Sequence, residues 1–320
     1  MLRAALGGAI TLTCATTGAQ AFPAKPVRMI LSFQPGGGSD AIARPLAQRM
    51  AKSLGQPVVI DHRPGANGIV SLETLARAAP DGHTIALSNV GPIAMSPALQ
   101  DKLPYDPLRG FAPIARVAST QYVLLVHPSL PARTVKQFLA LARARPGAIN
   151  YATTGVGSTP HLSGELLKHL TGIDIVGVQY KGGGPALIDV ISGQVSMYFA
   201  SAPSALPHLK SGRVVGIAVT GSKRSTAIPD LPTVAESGVA GYEVDGWYGV
   251  LAPAQTEGAR VQRLAAVIHE ALRGPELVSA YAAQGVEVAP ASPEAFAAVI
   301  EKEISKWTKV VGSSGIRVVN

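Results

Sequence analysis

The sequence predicts an α/β protein with two lobes, and three observations support this prediction. Strand patterns alternate with helical patterns along the whole chain, which is typical of α/β layers. A length of 320 residues is enough for two domains, each with its own core. Two extended segments, residues 122–126 and 242–251, are interpreted as crossovers between lobes. Lobe 1 is then residues 22–121 plus 249–320, and lobe 2 is residues 122–248.

Residues 1–21 have the features of a signal peptide. Arg3 supplies a positive start, residues 4–12 are apolar, and residues 19–21 (AQA) match the small-x-small pattern of a signal-peptidase site. The apolar stretch is much shorter than the ~20 residues that cross a bilayer, so no membrane anchor is expected. We therefore predict cleavage after Ala21 and a periplasmic location.

The first strand–loop–helix unit follows the leader. Residues 27–33 have the apolar pattern of a buried strand, which residues 34–38 (QPGGG) interrupt. Apolar residues then recur at helical spacing over residues 42–54, and Gly55 is expected to end this helix. Residues 58–60 are the next predicted strand.

Three residues shape the start of that helix. Ser39 and Asp40 are residue types found at helix N-termini, with Ser39 taken as the cap. Pro45 lacks a backbone donor, so it should bend the helix or shorten its regular part.

A similar unit recurs about 120 residues later, without a strict sequence repeat. Residues 149–152 are a predicted strand, residues 153–157 (TTGVG) are a loop, and Ser158 or Thr159 caps a helix that Gly172 ends. The other predicted strands are residues 84–87, 122–126, 173–178, 195–199 and 214–219. The other predicted helices are residues 135–144, with Thr134 and Gln137 as a capping box, residues 260–272, and a last helix that starts at Ser292-Pro293.

Composition and motifs exclude several functions. The net charge is +8, or +7 without Arg3 of the leader, yet no run of five basic residues exists and aromatic residues are only 5%, so nucleic acid is not an expected partner. The single cysteine, Cys14, excludes a zinc ribbon, an iron–sulfur cluster and an internal disulfide. No P-loop, nucleophile elbow or HExxH motif is present, so we expect no catalytic residues, metal or cofactor.

The glycine-rich loops predict an anion site. The first N–H groups of a helix have no intrahelical partner, and the helix dipole adds partial positive charge there. Glycine lets a ligand approach the backbone closely. Two such loops in two lobes favour a ligand site at the carboxyl ends of the strands.

Six segments carry a family resemblance. They are residues 33–40 (FQPGGGSD), 61–68 (DHRPGANG), 155–161 (GVGSTPH), 180–183 (YKGG), 231–238 (LPTVAESG) and 247–253 (WYGVLAP). Together they resemble the Bug-type extracytoplasmic solute receptors of tripartite tricarboxylate transporters, over essentially all of the mature chain. Gln34 is a departure, because the family more often has proline there.

The resemblance implies a two-lobed periplasmic binding protein of type II (Venus-flytrap) architecture. It implies a monomer that captures a small carboxylate, such as a di- or tricarboxylate, an acidic amino acid or an aromatic acid, and delivers it to a membrane permease. Two alternatives stay open: a receptor that reports its ligand to a membrane sensor kinase, and an exported enzyme on the same fold.

The candidate ligand-binding residues come from these loops and strand ends. They are Gln34, Gly37, Gly38, Ser39, Asp40, Ser88, Thr153, Thr154, Gly157, Ser158, Thr159, His161, Tyr180, Lys181 and Ser201. Ser39, Ser158 and Thr159 have a second interpretation as helix caps. Ser88 is included, with Asn89 beside it, because both follow a strand of lobe 1.

Three charged or titratable candidates also have structural interpretations. Asp40 is interpreted as structural, because a carboxylate repels an anionic ligand unless that ligand also carries an amino group. His161 either faces the ligand or packs in the first helical turn. Lys181 is either a ligand partner or a solvated surface lysine.

Overall fold

The computed structural model describes residues 22–100 and 102–314; the predicted leader and its cleavage site lie outside these ranges. Within them, strands and helices alternate as predicted. The strands are β1 (Val27–Leu31), β2 (Val58–His62), β3 (Thr84–Asn89), β4 (Phe111–Val126), β5 (Asn150–Thr153), β6 (Val176–Gln179), β7 (Met197–Ser201), β8 (Val215–Val219), β9 (Asp245–Pro253) and β10 (Val286–Ala291). The helices are α1 (Gly38–Leu54), α2 (Ile69–Ala76), α3 (Ser96–Leu99), α4 (Val135–Ala144), α5 (Thr159–Thr171), α6 (Gly183–Ile191), α7 (Ala202–Lys210), α8 (Gly258–Arg273), α9 (Pro275–Ala282) and α10 (Pro293–Ser314).

The two predicted glycine-loop units are present, and local chemistry accounts for their ends. Gly55 and Gly172 follow α1 and α5 in the left-handed conformation, at φ 66° and 68°, as C-terminal caps. Ser158 caps α5, because its hydroxyl accepts the N–H of His161 at 3.3 Å. The predicted cap Thr134 likewise accepts the N–H of Gln137 at 3.2 Å.

The start of α1 differs from the prediction. The cap is Gly37, whose lack of a side chain leaves no side-chain capping bond, and Ser39 lies inside the first turn. The helix runs through Pro45 without interruption. Strand β6 begins at Val176 rather than at residue 173, because its partner β5 begins at Asn150, which pairs with Val176.

The strands form two sheets that share β4. The strand order is β2-β1-β3-β9-β4-β7-β5-β6, with β10 and β8 also paired to β4. Residues 111–121 of β4 pair antiparallel with β9, and residues 122–126 pair antiparallel with β7 and β8 in the second sheet. Strands β1, β2 and β3 are mutually parallel in the first sheet, and β5, β6 and β7 in the second. Helices cover both sheets, so the central strands are buried on both faces, whereas the edge strands β2 and β6 are partly exposed.

The length of β4 was not predicted from the sequence. Only residues 122–126 have an uninterrupted apolar pattern, whereas Pro113 and Arg116 interrupt the preceding residues. The structure accommodates these interruptions with register shifts against β9 next to both residues. A single strand therefore connects the two sheets. The assignment of residues 22–121 plus 249–320 and 122–248 to two lobes remains a prediction.

No helix in residues 22–100 and 102–314 is long and apolar enough to cross a membrane. In the same ranges, no group of three or more His, Cys, Asp or Glu side chains is placed to hold a metal ion.

Candidate ligand-binding site

A small cavity of about 40 Å³, here called the inner cavity, lies where loops of the two sheets meet. It is lined by Phe33, Gly37, Gly38, Ser39, Asn89, Tyr122, Thr154, Thr159, Pro160, Gly183, Tyr198, Ser201, Ser204 and Tyr248. Most of these residues follow the carboxyl ends of parallel strands, which is where open α/β sheets bind ligands.

The first turns of four helices converge on the inner cavity. Gly38 and Ser39 begin α1, Thr159 begins α5, Gly183 begins α6, and Ser201 caps α7. Because the first N–H groups of a helix lack intrahelical partners and carry partial positive charge, each of these ends favours an anion. Four ends around one cavity make it electropositive without a formal charge.

Gly38 is the point of closest approach between the two sides. A Cβ atom on this residue would lie 2.4 Å from Ser201 Oγ and 3.2 Å from the Tyr248 hydroxyl. Real Cβ contacts are not this short, so a Cβ atom here would require Ser201 Oγ to rotate away and the Tyr248 hydroxyl to shift. The glycine therefore allows close packing across the cavity.

Three buried tyrosines add hydroxyl groups. Burial raises the pKa of Tyr122, Tyr198 and Tyr248, so each phenol stays protonated and keeps a hydrogen to donate. The Tyr248 hydroxyl faces the side chains of Ser39 and Asn89. These tyrosines therefore provide neutral hydrogen-bond donors in the cavity wall.

Two buried polar atoms of the wall lack a well-formed hydrogen bond within the protein. They are Asn89 Oδ1, which lies near the Tyr248 hydroxyl, and Thr159 Oγ1, which lies near the Tyr122 hydroxyl. A buried polar atom without a partner is unfavourable, so these atoms suit a site filled by water or a polar ligand. None of the fourteen lining residues in the described part of the chain has a charged side chain.

A larger pocket of about 450 Å³, here called the outer pocket, adjoins the inner cavity. The two share Phe33 and Thr154 as lining residues. Its other lining residues are Gly65, Ala66, Asn67, Gly68, Ile69, Gln100, Gly155, Val156, Gln179, Tyr180 and Lys181.

Two candidates, Thr153 and His161, line a surface groove that is separate from the inner cavity. Glu165 and Lys168 line the same groove. His161 Nδ1 accepts the N–H of Gly157 at 3.3 Å, so this histidine braces the glycine loop from behind. The Gly157 N–H therefore points to His161 within the protein.

Asp40 also braces its loop. Its Oδ2 accepts from Arg44 Nε at 2.7 Å and from the Gly36 N–H at 3.3 Å, and its Oδ1 lies 3.3 Å from His62 Nε2. Basic side chains of the protein thus contact the Asp40 carboxylate, which agrees with a structural role for Asp40 rather than ligand contact.

The fifteen candidates separate into groups. Six line the inner cavity: Gly37, Gly38, Ser39, Thr154, Thr159 and Ser201. Tyr180 and Lys181 line the outer pocket, with Thr154 shared, while Thr153 and His161 line the surface groove. The remaining candidates, Gln34, Asp40, Ser88, Gly157 and Ser158, line none of these three spaces.

Sequence reasoning missed the tyrosines, because a tyrosine on an apolar strand is ordinarily a core residue. A usable signal existed for two of them. Tyr122 and Tyr248 lie in the two extended segments that were predicted to cross between lobes, and a crossover segment necessarily borders the cleft. Tyr198 has no comparable signal.

We expect replacement of His161 by asparagine to reduce the acid sensitivity of the protein. Burial lowers the pKa of His161, an effect that nearby Lys168 reinforces and Glu165 opposes. Because the folded pKa lies below that of the unfolded chain, near 6.5, this stability is complete above pH ~6.5 and is lost as pH falls through the lowered value. Asparagine retains an acceptor for the Gly157 N–H but does not titrate.

Denaturant unfolding of both proteins at pH 7 and pH 5 measures this effect. The difference in unfolding free energy between the two pH values should be smaller in His161→Asn than in the native sequence. An identical pH dependence in the two proteins would show that His161 does not contribute.

Comparison with known proteins identifies the family and the fold of the chain. The profile of a family described as "Tripartite tricarboxylate transporter family receptor" matches residues 42–316. The solved structure of the periplasmic binding protein BugD is 32% identical, with a TM-score of 0.89 over 92% of this chain and 99% of that one. Rpa4515 of R. palustris, solved with adipate, is 34% identical, with a TM-score of 0.90 over 92% and 99%.

MatC (Rpa3494) from Rhodopseudomonas palustris, solved with bound malate, is 33% identical, with a TM-score of 0.87 over 91% of this chain and 100% of that one. These similarities confirm the α/β fold of periplasmic binding proteins and the Bug-type resemblance of the sequence. The chain therefore belongs to the tripartite tricarboxylate transporter receptor family.

Proposed function

We propose that this protein is a periplasmic, monomeric solute-binding protein without catalytic activity. It captures a small carboxylate in the inner cavity and delivers it to the membrane permease of a tripartite tricarboxylate-type transporter. The observation that carries this proposal is the convergence of four helix N-termini and several buried hydroxyls on a cavity whose described lining residues have no charged side chain.

Neutral donors suit a ligand that must be released again. A carboxylate at the inner cavity accepts from free N–H groups at the start of α1 and α5 and from the hydroxyls of Ser39, Thr159 and Ser201. Micromolar affinity requires about 8 kcal/mol, and each hydrogen bond to a charged group contributes about 1.5–3 kcal/mol. Three to five such bonds, less the entropy lost on binding, are sufficient without an arginine.

The composition of the cavity also supports binding rather than catalysis. Its described lining contains no His, Asp, Glu, Lys or Cys, and therefore no general base with an adjacent nucleophile. Adipate and malate, the ligands of two related structures, are both small carboxylates. The family to which the chain belongs supports a transporter as its partner.

A thermal-shift screen tests the proposal. We expect mono-, di- or tricarboxylates, or acidic amino acids, to raise the melting temperature, because a ligand at a hundred times its Kd adds about 2.7 kcal/mol of stability. Sugars and metal cations serve as controls and should have no effect. A shift with sugars or cations and none with any acid would contradict the proposal.

A further inference from the structure

The outer pocket has a distinct electrostatic character. Of its lining residues in the described chain, Lys181 is the only one with a charged side chain. The described lining of the inner cavity has helix starts and no charged side chain, whereas that of the outer pocket has the start of α2 at Ile69 and also the Lys181 side chain. Only the outer pocket therefore offers an anion a formal positive charge.

The segment that carries Lys181 is held in place. The backbone N–H of Tyr180 donates to the Thr153 carbonyl at 2.8 Å, and the Tyr180 hydroxyl donates to Asp189 at 2.6 Å. The ammonium group of Lys181 itself has no ion pair or side-chain hydrogen bond with any residue in the ranges 22–100 and 102–314. Lys181 is therefore an exposed cation on a held backbone segment, and the described protein does not neutralise its charge.

The wall between the two spaces suits the middle of an elongated ligand. Phe33 provides an apolar ring and Thr154 provides a methyl and a hydroxyl group, and both residues line both spaces. An aliphatic chain passes such a boundary more easily than a charged group does, because burying an unpaired charge is strongly unfavourable.

We propose that Lys181 determines specificity by pairing with a second acidic group of the ligand. The first carboxylate occupies the inner cavity, the carbon chain passes Phe33 and Thr154, and the second carboxylate reaches Lys181 in the outer pocket. The site then prefers an elongated dicarboxylate over a monocarboxylate of equal length. This inference rests on the proposed carboxylate-binding function.

Calorimetry with matched acids tests the role of Lys181. The probes are the linear α,ω-dicarboxylates of four to eight carbons and the monocarboxylates of the same lengths. Lys181→Met is expected to weaken binding of the best dicarboxylate about tenfold or more, as for loss of a charge-assisted hydrogen bond, and to leave monocarboxylates unchanged. Lys181→Arg should retain most of the preference.

Lys136→Met is the matched control, because it removes the same charge from an exposed position on α4 that lines neither space. This variant should bind both series like the native protein. Equal losses for mono- and dicarboxylates in Lys181→Met, or no loss for either, would overturn the role of Lys181 while leaving carboxylate binding intact. Failure of the native protein to bind any acid of either series would instead overturn the proposed function together with this inference.

Discussion

Replacing Gly38 with alanine is expected to weaken carboxylate binding about 10- to 100-fold in a protein that remains folded. The added Cβ would lie 2.4 Å from Ser201 Oγ and 3.2 Å from the Tyr248 hydroxyl, so it displaces two hydroxyl groups that line the inner cavity. Forcing an extra carbon into a packed contact costs about 1–3 kcal/mol. Because this contact forms part of the ligand site, the cost lowers the free energy of ligand binding.

Gly258→Ala is a matched control for this substitution. Gly258 is the first residue of α8, as Gly38 is of α1, and no atom lies within 4 Å of the Cβ that would be added there. Calorimetry should show native affinity in Gly258→Ala, and circular dichroism should show native helix content in both variants. Native affinity in Gly38→Ala would mean that the ligand does not require this close approach.

Replacing Gly249 with alanine is expected to lower the free energy of unfolding by about 3 kcal/mol. The new Cβ would lie 2.1 Å from Cζ of Phe296, with two further ring atoms within 2.8 Å. Phe296 is fully buried and packs edge-on against Trp247 at 5.3 Å between ring centroids, so the ring has no free space to move into. The clash therefore separates α10 from β9.

A double variant distinguishes this clash from a general effect of the substitution. Phe296→Leu removes the ring atoms that the new Cβ would meet, so Gly249→Ala should destabilise the Phe296→Leu background much less than the native protein. Urea unfolding of the four proteins in this cycle measures the coupling. Equal destabilisation in both backgrounds would contradict the steric explanation.

Much of the fold was predictable because its signals are local. Gly55, Gly172 and Ser158 end or begin helices through backbone geometry and capping bonds that involve neighbouring residues only. A cap formed by neighbouring residues ends or begins a helix in the same way wherever that helix packs in the fold. The start of α1 is an instructive error, since Ser39 is a good capping residue but its position belongs to the first turn, where its side chain lines the inner cavity.

The candidate site was only partly predictable, because sequence identifies loops but not the direction in which their residues point. Ser39, Thr159 and Ser201 line the inner cavity, whereas His161 faces away from it and braces Gly157. His161 follows Thr159 by two residues, so the direction changes within half a helical turn. That rotation depends on how α5 packs against its sheet.

The sequence by itself determined that strands and helices alternate, that glycine loops open onto helices, and that the chain resembles a carboxylate receptor. Only the tertiary structure decided which donors share one cavity. The long strand β4 joins the two sheets, which brings the starts of α1 and α7 together and places Tyr122, Tyr198 and Tyr248 at their junction. These contacts join residues distant in sequence, so they depend on the pairing of whole strands and not on the residue types at each position.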